Sequence, residues 1–131
     1  MLGIDTNVLV RFLVRDDEPQ FQKARKLIRR EVSAGRQVFV SLLVLLETEW
    51  VLRSRYSLQK NEVVDVISGL LETADVQFED EPAVEDALFV WKDNATGFAD
   101  CLIGARNRRL GCTATATFDA KASRLPGFVA A

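Results

Sequence analysis

Apolar and polar residues run along the chain in blocks that switch repeatedly between strand-like and helix-like spacing. Met1 to Ile4 reads as a short buried strand leading straight into Asp5-Thr6-Asn7. Pro19 follows a run of acids, Asp16-Asp17-Glu18, and opens a helical pattern through Phe21, Ala24, Leu27, Ile28 and Val32 that stops at Gly35. Proline at the start of a helix and glycine just past its end are the usual boundary signals, because proline lacks the donor the first turn cannot use and glycine tolerates the left-handed stop. Gln37 to Val40 is a second strand, and Ser41 is placed to cap a helix reaching about Arg55. Val63, Ile67, Leu70 and Leu71 mark another helix, and Val76 to Phe78 a short strand. Pro82 opens a helix carrying Val84, Ala87, Leu88 and Trp91, and Thr96-Gly97 starts one more that runs to Leu110 before Gly111. Cys112 to Phe118 reads as a strand, and Phe128-Val129 as a last short one. Strands alternating with helices predict an α/β layered fold with a mainly parallel sheet, and the connections are long enough for right-handed crossovers. No linker, low-complexity tract or repeat interrupts the pattern, so residues 1–131 are expected to form a single domain.

Composition narrows the chemistry. The 131 residues are 48% hydrophobic and 27% charged, average values for a globular protein and far from disordered or collagen-like classes. A chain of 14.7 kDa buries about two-thirds of its unfolded surface and needs no covalent staple. No apolar run approaches the roughly 18 residues of a membrane span, and the N-terminus lacks the basic-then-apolar pattern of a secretory signal, so no membrane partner is expected. Histidine is absent, which excludes Ser-His-Asp and Cys-His catalysis and histidine-ligated zinc. Two cysteines, Cys101 and Cys112, cannot build an all-cysteine zinc site or a disulfide framework. They read as buried reduced thiols, one in a helix and one in a strand, which suits a reducing, cytoplasmic setting. Catalysis therefore falls to carboxylates, hydroxyls, lysine or arginine, with a hard metal ion. The net charge of −2 argues against a protein that coats duplex DNA and directs attention to the acids.

In an open parallel sheet, ligands bind outside the carboxyl ends of the strands. Asp5 directly follows the first strand and Asp119 the strand ending near Phe118. Each has an ordinary alternative: Asp5 as a helix cap, Asp119 as a turn residue. At about 100° per residue, Glu47 projects on the side of Leu43, Leu46 and Trp50, whereas Glu49 points roughly 160° away. We expect Glu47 to face inward, where an acid must be paired or bind metal, and Glu49 to be solvated. The alternative for Glu47 is a rim residue paired to Arg53 or Arg55. Asp100 falls in the first turn of its helix, a position the helix dipole alone favours. Its helical neighbours Gly104 and Asn107 form a small and polar stripe that suits an open cavity. Four acids without histidine match the oxygen-only ligation that Mg²⁺ or Mn²⁺ prefers, and a divalent cation would relieve their mutual repulsion.

At these residues the sequence resembles the PIN-domain family, and more narrowly the VapC-type toxin ribonucleases of bacterial toxin–antitoxin pairs. The matching stretches are GIDTNVLVRFL at 3–13, VSLLVLLETEWVLRSRY at 40–56, TGFADCLIGARNRRLG at 96–111 and TATFDAKASRLPGF at 115–128. They span essentially the whole chain in the family's order. The resemblance implies a PIN-like three-layer sandwich, with a central sheet of about five parallel strands flanked by helices, usually as a homodimer. Carried over residue by residue, the family's metal-site acids fall on Asp5, Glu47, Asp100 and Asp119, and its polar helpers on Asn7 and Thr117. The implied activity is metal-dependent hydrolysis of RNA to 5′-phosphate and 3′-hydroxyl ends. The implied partner is a small antitoxin whose C-terminal segment crosses the active-site groove.

On this reading Asp5, Asp100 and Glu47 hold a first Mg²⁺ or Mn²⁺, with Asp119 completing that site or a second one. Substrate contact falls to arginines outside the acid cluster: Arg11, Arg15, Arg53, Arg55, Arg106, Arg108 and Arg109. Most of these equally suit a solvated helix face. Two other classes compete. A metal-dependent phosphohydrolase of small molecules usually places a second Asp two residues after the first, where this chain has Asn7. A non-catalytic module using the same fold as a scaffold would tolerate neutralisation of Asp100.

Overall fold

The computed structural model describes residues 1–131 and divides into two compact units, Met1–Glu79 and Asp80–Ala131. In the first unit the order is β1 (Leu2–Gly3), α1 (Thr6–Leu13), α2 (Glu18–Ser33), β2 (Val38–Val40), α3 (Leu42–Ser54), α4 (Lys60–Glu72) and β3 (Val76–Phe78). The three strands form a parallel sheet in the order β1-β2-β3, with Leu2 opposite Val38 and Val38 opposite Val76. Val38 and Val40 on the central strand are fully buried, as expected of a parallel strand covered on both faces. Helix α1 packs against both α2 and α3, and Leu9, Ile28, Leu45, Leu52, Val63 and Ile67 fill the core.

Local chemistry sets the helix ends. The Asp17 carboxylate accepts from the Gln20 N–H, and Pro19 sits in the first turn of α2. Ser41 Oγ accepts from the Val44 N–H at the start of α3. Gln59 and Glu62 form a reciprocal capping box on α4. Helix α1 lies where the sequence pattern gave only a turn. Its TNVLVRFL run is amphipathic at the helical period but only two turns long, and it buries Leu9 and Val10.

The second unit comprises α5 (Glu81–Lys92), α6 (Phe98–Arg109), β4 (Thr115–Thr117), a 3₁₀ turn (Ala122–Arg124) and β5 (Phe128–Ala130). Helices α5 and α6 form its most extensive packing. Phe98 is fully buried against Trp91, with ring centroids 5.1 Å apart and planes tilted by 54°, an arrangement the aromatic quadrupoles favour. Strands β4 and β5 pair in parallel, Thr115 opposite Phe128 and Thr117 opposite Ala130. Gly111, at φ +92°, supplies the left-handed residue that ends α6.

The α/β class and the parallel pairing hold. The five strands, however, hydrogen-bond as sheets of three and two, and each is only two or three residues long. The stretch from Cys112 to Phe118 is a strand only over Thr115–Thr117, and at its start the Cys112 N–H turns back to the Asn107 carbonyl. Cys112 is consequently exposed, against expectation, while Cys101 is buried; neither forms a disulfide. No helix is long and apolar enough to cross a membrane.

Candidate functional site

The first strand delivers Asp5 to the start of α1. The Ile4 N–H donates to the Phe39 carbonyl at 3.0 Å, anchoring the residue before it to β2. One Asp5 oxygen accepts the Val8 N–H at 3.0 Å and caps α1; the other has no partner in the chain. The cap and the ligand readings are thus compatible: the cap fixes the carboxylate and leaves one oxygen available. Glu47, on α3, makes no hydrogen bond or ion pair and is exposed. Asp5 and Glu47 line one cavity of about 390 Å³ with Thr6, Asn7, Trp50, Val51 and Arg55. The backbone N–H groups at the start of α1 favour negative charge here, and the Arg55 guanidinium adds a full positive one.

Asp100 and Asp119 belong to the second unit. Asp100 sits in the first turn of α6, half-buried. Asp119 Oδ1 accepts the Ala122 N–H at 2.8 Å, and the Asp119 N–H donates to Thr117 Oγ1 at 3.0 Å. The turn reading of Asp119 is therefore realised, and Thr117 is the threonine of the TATAT run that braces it. In neither unit do three acidic or cysteine side chains gather closely enough to hold a metal ion by themselves. The donor set of the first cavity nonetheless fits Mg²⁺, which dehydrates reluctantly and is commonly bound by one or two carboxylates, retained water and substrate phosphate. Asp5 and Glu47 supply the carboxylates, and Asn7 a further oxygen.

The α3 face assignment is corrected. Leu43, Glu47 and Trp50 do share one side, but that side is open: Leu43 and Trp50 are 74% and 59% exposed. The inward face carries Leu45, Thr48, Glu49 and Leu52 instead. Glu49, expected in solvent, is 3% exposed and ion-paired with Arg53 one turn on. The first turn of α3 is apolar all round, so the sequence contains no phase signal there. Packing chose the face that could pair its acid.

The arginines are likewise mostly committed. Arg11 bonds Gln20, Asp16 and Tyr56; Arg15 bonds Glu18; Arg108 donates to the Pro126 carbonyl. Arg55 is the one member of the set with no protein partner, and it lines the Asp5–Glu47 cavity. The Gly104–Asn107 stripe is not an open surface, since the Phe128 ring covers Gly104 and the Asn107 amide donates to Thr115 Oγ1 at 3.0 Å.

Sequence reasoning missed Asp80. Its buried carboxylate caps α5 through the Ala83 N–H (3.3 Å) and binds Arg106 (2.5 Å) and Arg109 (2.6 Å) on α6. Burial alone would raise its pKa, but the Ala83 N–H and the two guanidiniums outweigh that and hold the carboxyl below the ordinary range. An acid two residues before Pro82 was the available signal.

A chain with this α/β arrangement and these acids is matched from residue 3 to residue 127 by the PIN domain family model, and it belongs to that family. Among curated proteins it is 21% identical over 122 residues to a VapC ribonuclease of Aquifex aeolicus (strain VF5), covering 93% of this chain and 90% of the relative. Among solved structures it is similar to Mycobacterium tuberculosis VapC20, described as a sarcin-ricin loop cleaving toxin, at 20% identity. That match has a TM-score of 0.44 and covers 94% of this chain and 93% of the other.

Proposed function

We propose that this PIN-domain protein is a metal-dependent endoribonuclease, the toxin of a toxin–antitoxin pair, and that residues 1–131 act as one nuclease domain. The observation that carries the reading is the pair of acids Asp5 and Glu47 facing one cavity beside an uncommitted arginine, in a chain without histidine. The ribonuclease relative, aligned over nearly its whole length, supports RNA as substrate.

Asp5 and Glu47 would hold Mg²⁺ or Mn²⁺. Asp100 and Asp119 are assigned to the same chemistry by the family resemblance, with Asn7 and Thr117 as polar helpers. When bound, the ion supplies an acidified water and neutralises charge developing on the phosphate. The Val8 N–H keeps the Asp5 carboxylate in one orientation, so little reorganisation is needed when substrate arrives. Arg55 can grip a phosphate through two parallel N–H donors, a geometry lysine cannot match. Asn7 can donate to a phosphate oxygen or accept from the attacking water.

The exposed Leu43 and Trp50 beside the cavity support a protein partner on this side, either the second subunit of a homodimer or the antitoxin. Two cysteines outside any disulfide are in keeping with a reducing, cytoplasmic setting.

Purified protein incubated with RNA and, separately, with a chromogenic phosphate monoester tests the reading. RNA cleavage with Mg²⁺ that stops in EDTA is expected, with no monoester turnover. Monoester hydrolysis with intact RNA would reassign the protein to small-molecule phosphate chemistry, and inactivity on both would favour a scaffold role.

A further inference from the structure

A second cavity, of about 300 Å³, shares Asp5 and Asn7 with the first and runs between α1 and α2. Its walls combine the aliphatic Val8, Ala24 and Leu27 with Gln20 and Lys23. That volume is at the lower end of pockets that take small ligands, and the mix of apolar wall and few polar groups is typical of them.

The charges around it are unevenly committed. Asp16 accepts from the Tyr56 hydroxyl at 2.8 Å and from Arg11, Asp17 caps α2, and Glu18 is clamped by Arg15. Arg11 is itself immobilised by Gln20 and Asp16. Lys23 makes no ion pair and is exposed. The Gln20 carbonyl oxygen is used by Arg11 at 2.6 Å, which fixes the amide and leaves its NH₂ group as an unused donor.

We propose that this groove is a nucleotide subsite. It would seat the base of the nucleotide next to the scissile phosphate against Val8, Ala24 and Leu27, with Gln20 reading the base edge and Lys23 pairing with that nucleotide's phosphate. A lone phosphate would leave the aliphatic walls uncovered, and an apolar peptide side chain would leave Lys23 and the Gln20 amide unused. A nucleotide engages both. Unstacked bases of single-stranded RNA are the part of RNA that proteins read for sequence, so the groove would determine base preference beside the cut. The proposal rests on the RNA reading of the Asp5–Glu47 cavity.

The test is titration of the wild-type protein with each of the four nucleoside 5′-monophosphates, followed by backbone amide shifts in an ¹⁵N spectrum. Shifts centred on Val8 and residues 20–27, stronger for one base than the others, are expected. Lys23→Glu, on an exposed position, is expected to weaken binding about tenfold by removing one charge-assisted contact, with Lys23→Arg restoring it; Leu27→Trp is expected to abolish the base preference by filling the groove. Absent or base-indifferent shifts overturn the subsite, whether or not the protein cuts RNA. Base-selective shifts in a protein that leaves RNA intact would overturn the ribonuclease reading and keep the site. If Lys23→Glu and Leu27→Trp leave nucleotide binding unchanged but weaken the hold of the cognate antitoxin, the groove is a protein-docking surface and the proposal fails.

Discussion

Replacing Asp80 by alanine removes three contacts at once from a carboxylate whose side chain is only 2% exposed. The cap to the Ala83 N–H is worth about 1 kcal/mol. The bonds to Arg106 and Arg109 are charge-assisted, a class worth about 1.5–3 kcal/mol each. Both guanidiniums are more than a third exposed, at 35% and 44%, so water recovers much of their hydration and the two together contribute about 2 kcal/mol. The sum is a loss of about 3 kcal/mol for Asp80→Ala. Asp80→Asn keeps an oxygen for the cap and should lose about half of that. Urea denaturation at pH 7 measures both as shifts in midpoint at unchanged slope. The pH dependence is a second check. The folded-state pKa of Asp80 is lowered, so its stabilisation is complete above the unfolded carboxyl value near 3.9 and disappears as pH falls through the folded value. The gap between wild type and Asp80→Ala should therefore narrow from pH 5 to pH 2. A variant within about 0.5 kcal/mol of wild type at pH 7, the range of an ordinary surface substitution, or a gap that widens in acid, would refute the clamp.

Two further outcomes follow from the geometry. Gly104→Ala would drive a Cβ into the Phe128 ring; the packing penalty of about 1–3 kcal/mol exceeds the roughly 1 kcal/mol gained in helix propensity. The melting temperature should fall, and a rise would mean that the ring swings aside freely. Arg15 and Gln22 hold the Glu18 carboxyl down to about 2, so its ¹³C signal should titrate there and return towards 4 in Arg15→Ala; a wild-type midpoint near 4 would contradict the bidentate pair.

Boundaries were legible where the chain carries its own chemistry. Pro19, Ser41, Pro82, Gly97 and Gly111 mark helix ends within a residue or two of where they fall, because capping and proline sterics are local. The β3 limits, Val76 to Phe78, match outright. Phase was not legible where apolar residues surround a helix. Helix α1 carried a period over only two turns, and the apolar first turn of α3 left its phase open. The acids themselves stood out by type and position, but their engagement did not. Part of that engagement is local: the Asp119 turn, the Asp5 cap and the Arg15–Glu18 and Arg53–Glu49 pairs span two to four residues. That Asp5 and Glu47 share a cavity and that Arg11 reaches Tyr56 are outcomes of tertiary packing. Asp80 was invisible for the same reason: its importance comes from two arginines 26 and 29 residues away in sequence.

The central claim is that Asp5 and Glu47 form the metal-binding edge of a ribonuclease site. It is tested most directly by single-turnover cleavage of an end-labelled RNA in Mg²⁺, comparing wild type with Asp5→Asn, which preserves the oxygen that caps α1. The account predicts a fall of at least about a hundredfold in rate, in keeping with removal of a metal ligand or its support, with the melting temperature nearly unchanged. Asp5→Asn protein that cuts RNA at the wild-type rate would contradict it.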